Sequence, residues 1–430
     1  MGVSRRLPRP ILEHIEAVLR AVETGPVDDD GFPVTLKELD GKLAEAAVHD
    51  MRALLSAVLS RLGSRKTAQA HGYRTRQILT CFGWIPVRFA YVRKVGATAF
   101  LMALGVTARS TAAARDRVVR CAALCGSFAE GCGMLRRLTG IHASVSKVRA
   151  LALAYGEQCL RMQEQASSDV RSYPAHAPKD GETKTVRTLF CMLDGTGAPC
   201  TKKDTADSEG KNGEAAGTRQ IRVVVFGEYE WLDKKGRPAP FPGSFSYAVS
   251  GEGIADVTGL VRKLGMARGY GTVARMQCVA DGEEAIEKAL RDAFRDATFT
   301  NDFIHACGHL HACCENLGLA NEAMQREYRF LKGLLYRIGA TAVIKRLETK
   351  YAAALLASTT ADKELDYLRK RKQNMCYGKL RKEGFFIASG HVEAAARILV
   401  VRRCKQAGMH WRHKNAICIS AILAHLRSAA

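Results

Sequence analysis

Thr188-Leu-Phe-Cys-Met-Leu-Asp194 runs through five uninterrupted apolar residues to an acid, and Gly-Thr-Gly197 follows at once. A short, continuous apolar run closed by turn residues reads as a buried strand, with Asp194 at its end. Met276-Gln-Cys-Val-Ala-Asp281 closes in the same way, with Gly282 behind it. Ser389-Gly-His-Val-Glu393-Ala-Ala-Ala-Arg-Ile-Leu reads instead as a helix, and it carries Glu393 in its first turn. Carboxylates at two strand ends and one helix start can converge on one rim of a sheet, where divalent metal is held.

The surrounding pattern supports such a sheet. Strands are expected at about 219–227 and 244–249, a helix near 254–265, and helical residues at 282–296. Asp302-Phe-Ile-His305 reads as a short final strand. Strands first adjacent and then joined across a helix make a mixed sheet with a crossover, hence an α/β fold. From 306 to about 386 the periodicity is helical throughout, too long for a connector, and reads as an inserted helical subdomain.

Upstream, residues 11–15 and 51–59 have helical spacing. Residues 77–82 and 85–92 flank Gly83-Trp84 as a hairpin, with Pro86 suited to an edge strand. Helices return over about 113–164, where two of them hinge at Gly140. The second carries Lys147 and Arg149, and the pair is either a helix-turn-helix or an ordinary helical hairpin. Residues 165–184 have linker composition, and 200–217 have the composition of a disordered loop. The expected organisation is a mainly helical DNA-binding region at 1–165 and a catalytic core at 185–305. A helical insertion at 306–386 separates that core from its C-terminal helix and basic tail at 387–430.

The chain has 430 residues, 47% of them hydrophobic, enough for two or three domains with full cores. Lys and Arg number 65 against 43 acids, a net charge of +22, which points to a polyanionic partner, usually nucleic acid. No apolar run is long enough for a membrane span. The N-terminus shows no secretory h-region, and the 14 cysteines include no C-x-x-C pair. A cytoplasmic protein with reduced thiols is therefore expected.

Two Mg2+ ions, with Mn2+ as substitute, would suit carboxylates drawn from separate elements, and in-line phosphoryl transfer is the matching chemistry. Asp194, Asp281 and Glu393 are the candidates, as catalytic residues and as metal ligands. Asp302, Glu283 and Glu284 compete as alternative acids. Each acid also has a plainer reading: a turn aspartate, or for Glu393 a helix-start charge or partner of Arg397. The glycines after Asp194 and Asp281 would keep the rim open to a DNA backbone. His305 is a candidate accessory residue at the scissile phosphate, whereas zinc on His305 and His309 fits no standard module. Arg369, Lys370, Arg371 and Lys372 form one candidate phosphate-binding run, with Tyr367 and Tyr377 alongside. Arg402, Arg403, Lys405, Arg412 and Lys414 form another, with Trp411 stacking on a base or packing inward.

At these residues the chain resembles DDE transposases of bacterial insertion sequences, particularly the ISKra-type group. The resemblance rests on Leu193-Asp194-Gly-Thr, Arg219-Gln-Ile-Arg-Val, Ala280-Asp281-Gly-Glu and Asp302-Phe-Ile-His305-Ala-Cys-Gly-His309-Leu. It continues through Ser389-Gly-His-Val-Glu393 and Val401-Arg-Arg-Cys-Lys-Gln-Ala-Gly-Met-His-Trp411, and spans roughly residues 75–427. It implies a ribonuclease H-like mixed sheet with a helical insertion before the last acid, and Asp194, Asp281 and Glu393 as the triad. It further implies metal-dependent cleavage and strand transfer of double-stranded DNA, at element ends and target, by a homo-oligomer in the bacterial nucleoid. A DNA-binding protein with an inactive core, or a structure-specific nuclease, are the alternatives.

Overall fold

The computed structural model describes residues 36–64, 71–91, 101, 105–165, 177–207, 209 and 216–428. The helix expected at 11–15 lies outside them, as does most of the expected linker. Two compact units divide the chain, Met1–Ala152 and Leu153–Ala430, and the division falls within the helix Val145–Glu164.

In the first unit the helix Leu36–Gly63 precedes a hairpin of β1 (Tyr73–Thr80) and β2 (Gly83–Ala90). The turn is Cys81-Phe82, not Gly83-Trp84, because Thr80 pairs with Gly83 in register. Thr80 Oγ accepts from the Phe82 amide at 3.2 Å and donates to Gly83 O at 2.8 Å, closing the turn one residue pair earlier. Ile78, Ile85, Val87 and Phe89 form one apolar face over Leu101 and Val106, as strand alternation dictates. The helices Ala112–Leu124 and Phe128–Thr139 are capped by Thr111 and Ser127. Gly140 ends the second in the left-handed region, φ 64°.

In the second unit, five strands lie in the order β5-β4-β3-β6-β7. They are β3 (Thr183–Pro199), β4 (Thr218–Leu232), β5 (Ser246–Ser250), β6 (Arg275–Ala280) and β7 (Thr298–Asn301). β3, β4 and β5 pair antiparallel, while β6 and β7 run parallel to β3. Leu189, Cys191 and Leu193 of β3 pack with Val257 and Val261 of the helix Ile254–Ala267, and with Ile286 and Leu290 of the helix Glu284–Ala293. The intervening Phe190 faces the other way, against Phe386 and His391.

β7 is Thr298–Asn301, and Asp302 does not continue it. The Asp302 side chain accepts from the His305 amide and so caps the helix Phe303–Glu315. A short carboxylate three residues before a free amide favours the cap over the ladder. The insertion thus begins at Phe303. It continues through the helices Asn321–Arg337, Ala340–Lys350, Ala352–Ala357, Thr359–Arg371 and Tyr377–Lys382 around its own core. Cys307, Cys313 and Cys314 are buried in that core, and all 14 cysteines are free thiols. The expected disordered loop at 200–217 is ordered at its start, where Lys202–Thr205 form one helical turn. Among the described residues, no helix is long and apolar enough to cross a membrane.

Candidate metal centre

Because β3, β6 and β7 are parallel, their C-terminal ends open on one edge, where sites collect in α/β sheets. Asp281 follows β6 directly. Asp302 follows β7, and its amide donates to Ala280 O at 2.8 Å. Asp194 lies within β3, not at its end, because β4 keeps pairing with β3 out to Pro199. The ladder between β3 and β6 stops at Met192, however, so Asp194 stands two residues past it on the open edge. Alternation puts Asp194 on the face of Phe190, which stacks on His391 with ring centroids 5.8 Å apart. Glu393 comes two residues after His391, in the first turn of the helix Gly390–Ala396, as its sequence foretold.

Metal-binding atoms of Asp302, His305 and Glu393 all lie within 4.8 Å of one another. Burial pushes the Asp194 carboxyl above the usual range, and the charges of Asp281 and Glu393 add to it. The Gly195 amide, donating at 2.6 Å, and His305 oppose that rise. The Asp302 hydrogen bond raises His305 above its ordinary value; burial opposes this, and Asp281 and Glu393 reinforce it. Glu393 accepts from Ser389 Oγ at 3.2 Å, and among the described residues it makes no ion pair with Arg397.

Asp302 plays a different part from its neighbours. It is fully buried, and four donors point at it: the His305 amide at 2.7 Å, His305 Nδ1 at 3.2 Å, the Ser389 amide at 2.5 Å and Ser389 Oγ at 2.9 Å. Burial works against its charge, yet these bonds outweigh burial and hold its carboxyl below the usual range. Through these bonds Asp302 orients His305 and the Glu393 helix, beside the group of metal-binding atoms it forms with them. Sequence reading missed this role; the Asp-x-x-His spacing of an N-cap was the signal for it.

The other competing acids are occupied or turned away. Glu283 forms a two-bonded pair with Arg222, both contacts 2.8 Å, and Glu284 is highly exposed. Arg222 also feels Asp194 and Asp281, which help to raise its pKa after the Glu283 bond. A Cβ on Gly195 would stand 2.5 Å from Arg222 Nη1, and one on Gly282 would stand 2.6 Å from Tyr367 Oη. His309 is drawn to Glu364 at 2.6 Å, away from any shared zinc with His305.

Within the basic runs Arg371 and Arg403 are buried, and several of the exposed cations have partners in the chain. Arg371 is buried and donates to Gly282 O at 2.6 Å. Arg369 pairs with Glu348 and Asp362, and Lys370 with Asp366. Of the two tyrosines alongside, Tyr377 is buried and donates to Asn301 O at 3.0 Å. Trp411 does not stack outward: it is buried, donates to Cys404 O at 3.1 Å and lies under the buried Arg403. Lys405 donates to Thr196 Oγ at 3.1 Å, Arg412 pairs with Asp204 and Lys414 with Glu157. Lys147 is half-buried and donates to Ala108 O at 2.6 Å. Arg149, Lys372 and Arg402 are exposed.

The burial of Asp194, with the charges of Asp281 and Glu393 adding to it, has a measurable consequence. Asp194 has a folded-state pKa above the ordinary 3.8, so the fold retains its proton longer than the unfolded chain does. Metal-free stability is therefore lost as pH climbs from about 3.8 through the folded value. Asp194→Asn removes that loss and is expected to raise stability at neutral pH by roughly 1 kcal/mol. A denaturant midpoint in chelator measures the change, and a lower midpoint for the variant contradicts it.

No protein-family model and no curated protein matches this chain.

Proposed function

We propose that the chain is a DDE-type DNA transposase with a ribonuclease H-like core, and that it cuts and joins DNA with divalent metal. The observation carrying this reading is that Asp194 and Asp281 stand at the open edge of the parallel strands, where β7 also delivers Asp302, whose metal-binding atoms lie within 4.8 Å of those of His305 and Glu393. The strand order supports it, with three antiparallel strands followed by two parallel ones, as in ribonuclease H-like sheets. So do the helical insertion between Asp281 and Glu393 and the net charge of +22.

The donor set is carboxylate oxygen, which fits Mg2+ and admits Mn2+. Two such ions, when bound, would activate the attacking oxygen and stabilise the leaving oxygen of an in-line displacement. Asp194, Asp281 and Glu393 would hold them. Asp302 keeps His305 and Ser389 in place, and His305, partly exposed beside the acids, is assigned contact with the scissile phosphate. Water first displaces one strand's 3′ oxygen, and the freed 3′-hydroxyl then attacks a phosphate of target DNA, breaking its bond to the target strand's 3′ oxygen, which leaves as a hydroxyl. Two element ends must meet, so a homo-oligomer on double-stranded DNA is part of the proposal.

The test is incubation of the full chain with DNA carrying its element's ends. Strand breaks with 3′-hydroxyls and joined products are expected in Mg2+, and neither in chelator. Absence of metal-dependent breakage on such DNA would overturn the enzyme reading.

A further inference from the structure

Asp281 belongs to no helix or strand. β6 ends at Ala280, the helix Glu284–Ala293 starts at Glu284, and Asp281-Gly-Glu283 bridges them. Within the bridge, Asp281 Oδ1 accepts the Glu283 amide at 2.9 Å, and Gly282 adopts φ 101°, a conformation suited to glycine. A segment so short, with one left-handed residue, has little intrinsic reason to hold a carboxylate in a fixed direction.

The helical insertion supplies what the bridge lacks. Tyr367 Oη donates to Asp281 O, and Arg371 Nη2 donates to Gly282 O at 2.6 Å. The two donors are four residues apart on the helix Thr359–Arg371, so both point from one helix face at successive carbonyls. Approach is close enough that any Cβ on Gly282 would stand 2.6 Å from Tyr367 Oη and 2.9 Å from Arg371 Nε. Tyr367 is itself immobilised. The Arg371 guanidinium lies 4.4 Å from its ring centroid, and His309 stacks on the ring at 3.6 Å, tied to Glu364. Arg371 is buried, with Glu287 near its Nε at 3.8 Å.

We infer that Tyr367 and Arg371 are positioning residues for Asp281, so that the helical insertion, not the sheet, sets where the second acid of the metal site stands. The inference rests on the metal-dependent reading of that site. It makes metal affinity depend on side chains that touch neither the metal nor the substrate.

Tyr367→Phe is the test, because it keeps the ring, its stack on His309 and the Arg371 contact while removing one donor. Mn2+ is titrated against the full chain and followed by electron paramagnetic resonance, with thermal melts alongside. Asp281→Asn serves as the reference for a lost ligand. The variant is expected to bind Mn2+ about tenfold more weakly, as loss of an orienting partner does elsewhere. Its cleavage rate should recover toward wild type at saturating metal. A folded Tyr367→Phe protein with unchanged Mn2+ affinity would overturn the inference and leave the metal reading standing. Wild-type Mn2+ binding indifferent to Asp281→Asn would overturn the metal reading, and the inference with it.

Discussion

Asp194→Asn, Asp281→Asn and Glu393→Gln are each expected to lower metal-dependent DNA cleavage by about a thousandfold or more while leaving DNA binding near wild type. The size follows from electrostatics: stabilisation of charge at the reacting oxygens is usually the largest single contribution to such reactions. One amide in place of one carboxylate removes a charge and a metal-binding oxygen without changing shape. Binding should survive because, on the proposed reading, phosphate is contacted by Lys and Arg and not by these acids. The three substitutions should also fail to add, since they disable one unit. Gel-based cleavage and filter binding on the same DNA measure both properties. Full cleavage by any one variant removes that residue from the mechanism.

Asp302→Ala is expected to behave differently, as a loss of stability of about 3 kcal/mol, the scale for removing a buried, hydrogen-bonded charge. Four contacts converge on this carboxylate, and its loss strands the Ser389 amide and the cap of the insertion's first helix. The pH dependence has a defined sign. Hydrogen bonds hold the folded-state pKa of Asp302 below 3.8, so its contribution is present above that value and lost as pH falls through the folded one. The variant should lack that acid-side loss. Urea unfolding at pH 7 and at pH 3 measures it, and a cost below about 1 kcal/mol at pH 7 would mean that the donors find other partners.

The sheet was readable because its central strands are apolar on both faces, as in Thr188-Leu-Phe-Cys-Met-Leu and Met276-Gln-Cys-Val-Ala. The helical insertion was readable from its length and period. β7 was not, because four residues rich in threonine carry no apolar pattern of their own and owe their pairing to β6. The three acids could be picked out because each ends or starts an element, though Asp194 proved internal to a strand that outlasts its parallel partner. Asp302 was legible as an acid but not as a buried hub, since its partners Ser389 and His305 stand 87 and 3 residues away. Charge shows in a sequence, but the partners that pair with Arg369 and Lys370, or bury Arg371 and Arg403, come from packing.

The most direct measurement is the location of Mn2+ by anomalous scattering in crystals of the full chain bound to cleaved element-end DNA. Ions held by Asp194, Asp281 and Glu393, with Asp302 still bonded to Ser389, are the expected result. An ion held by Asp302, His305 and Glu393, with Asp194 and Asp281 bare, would contradict the assignment of the site.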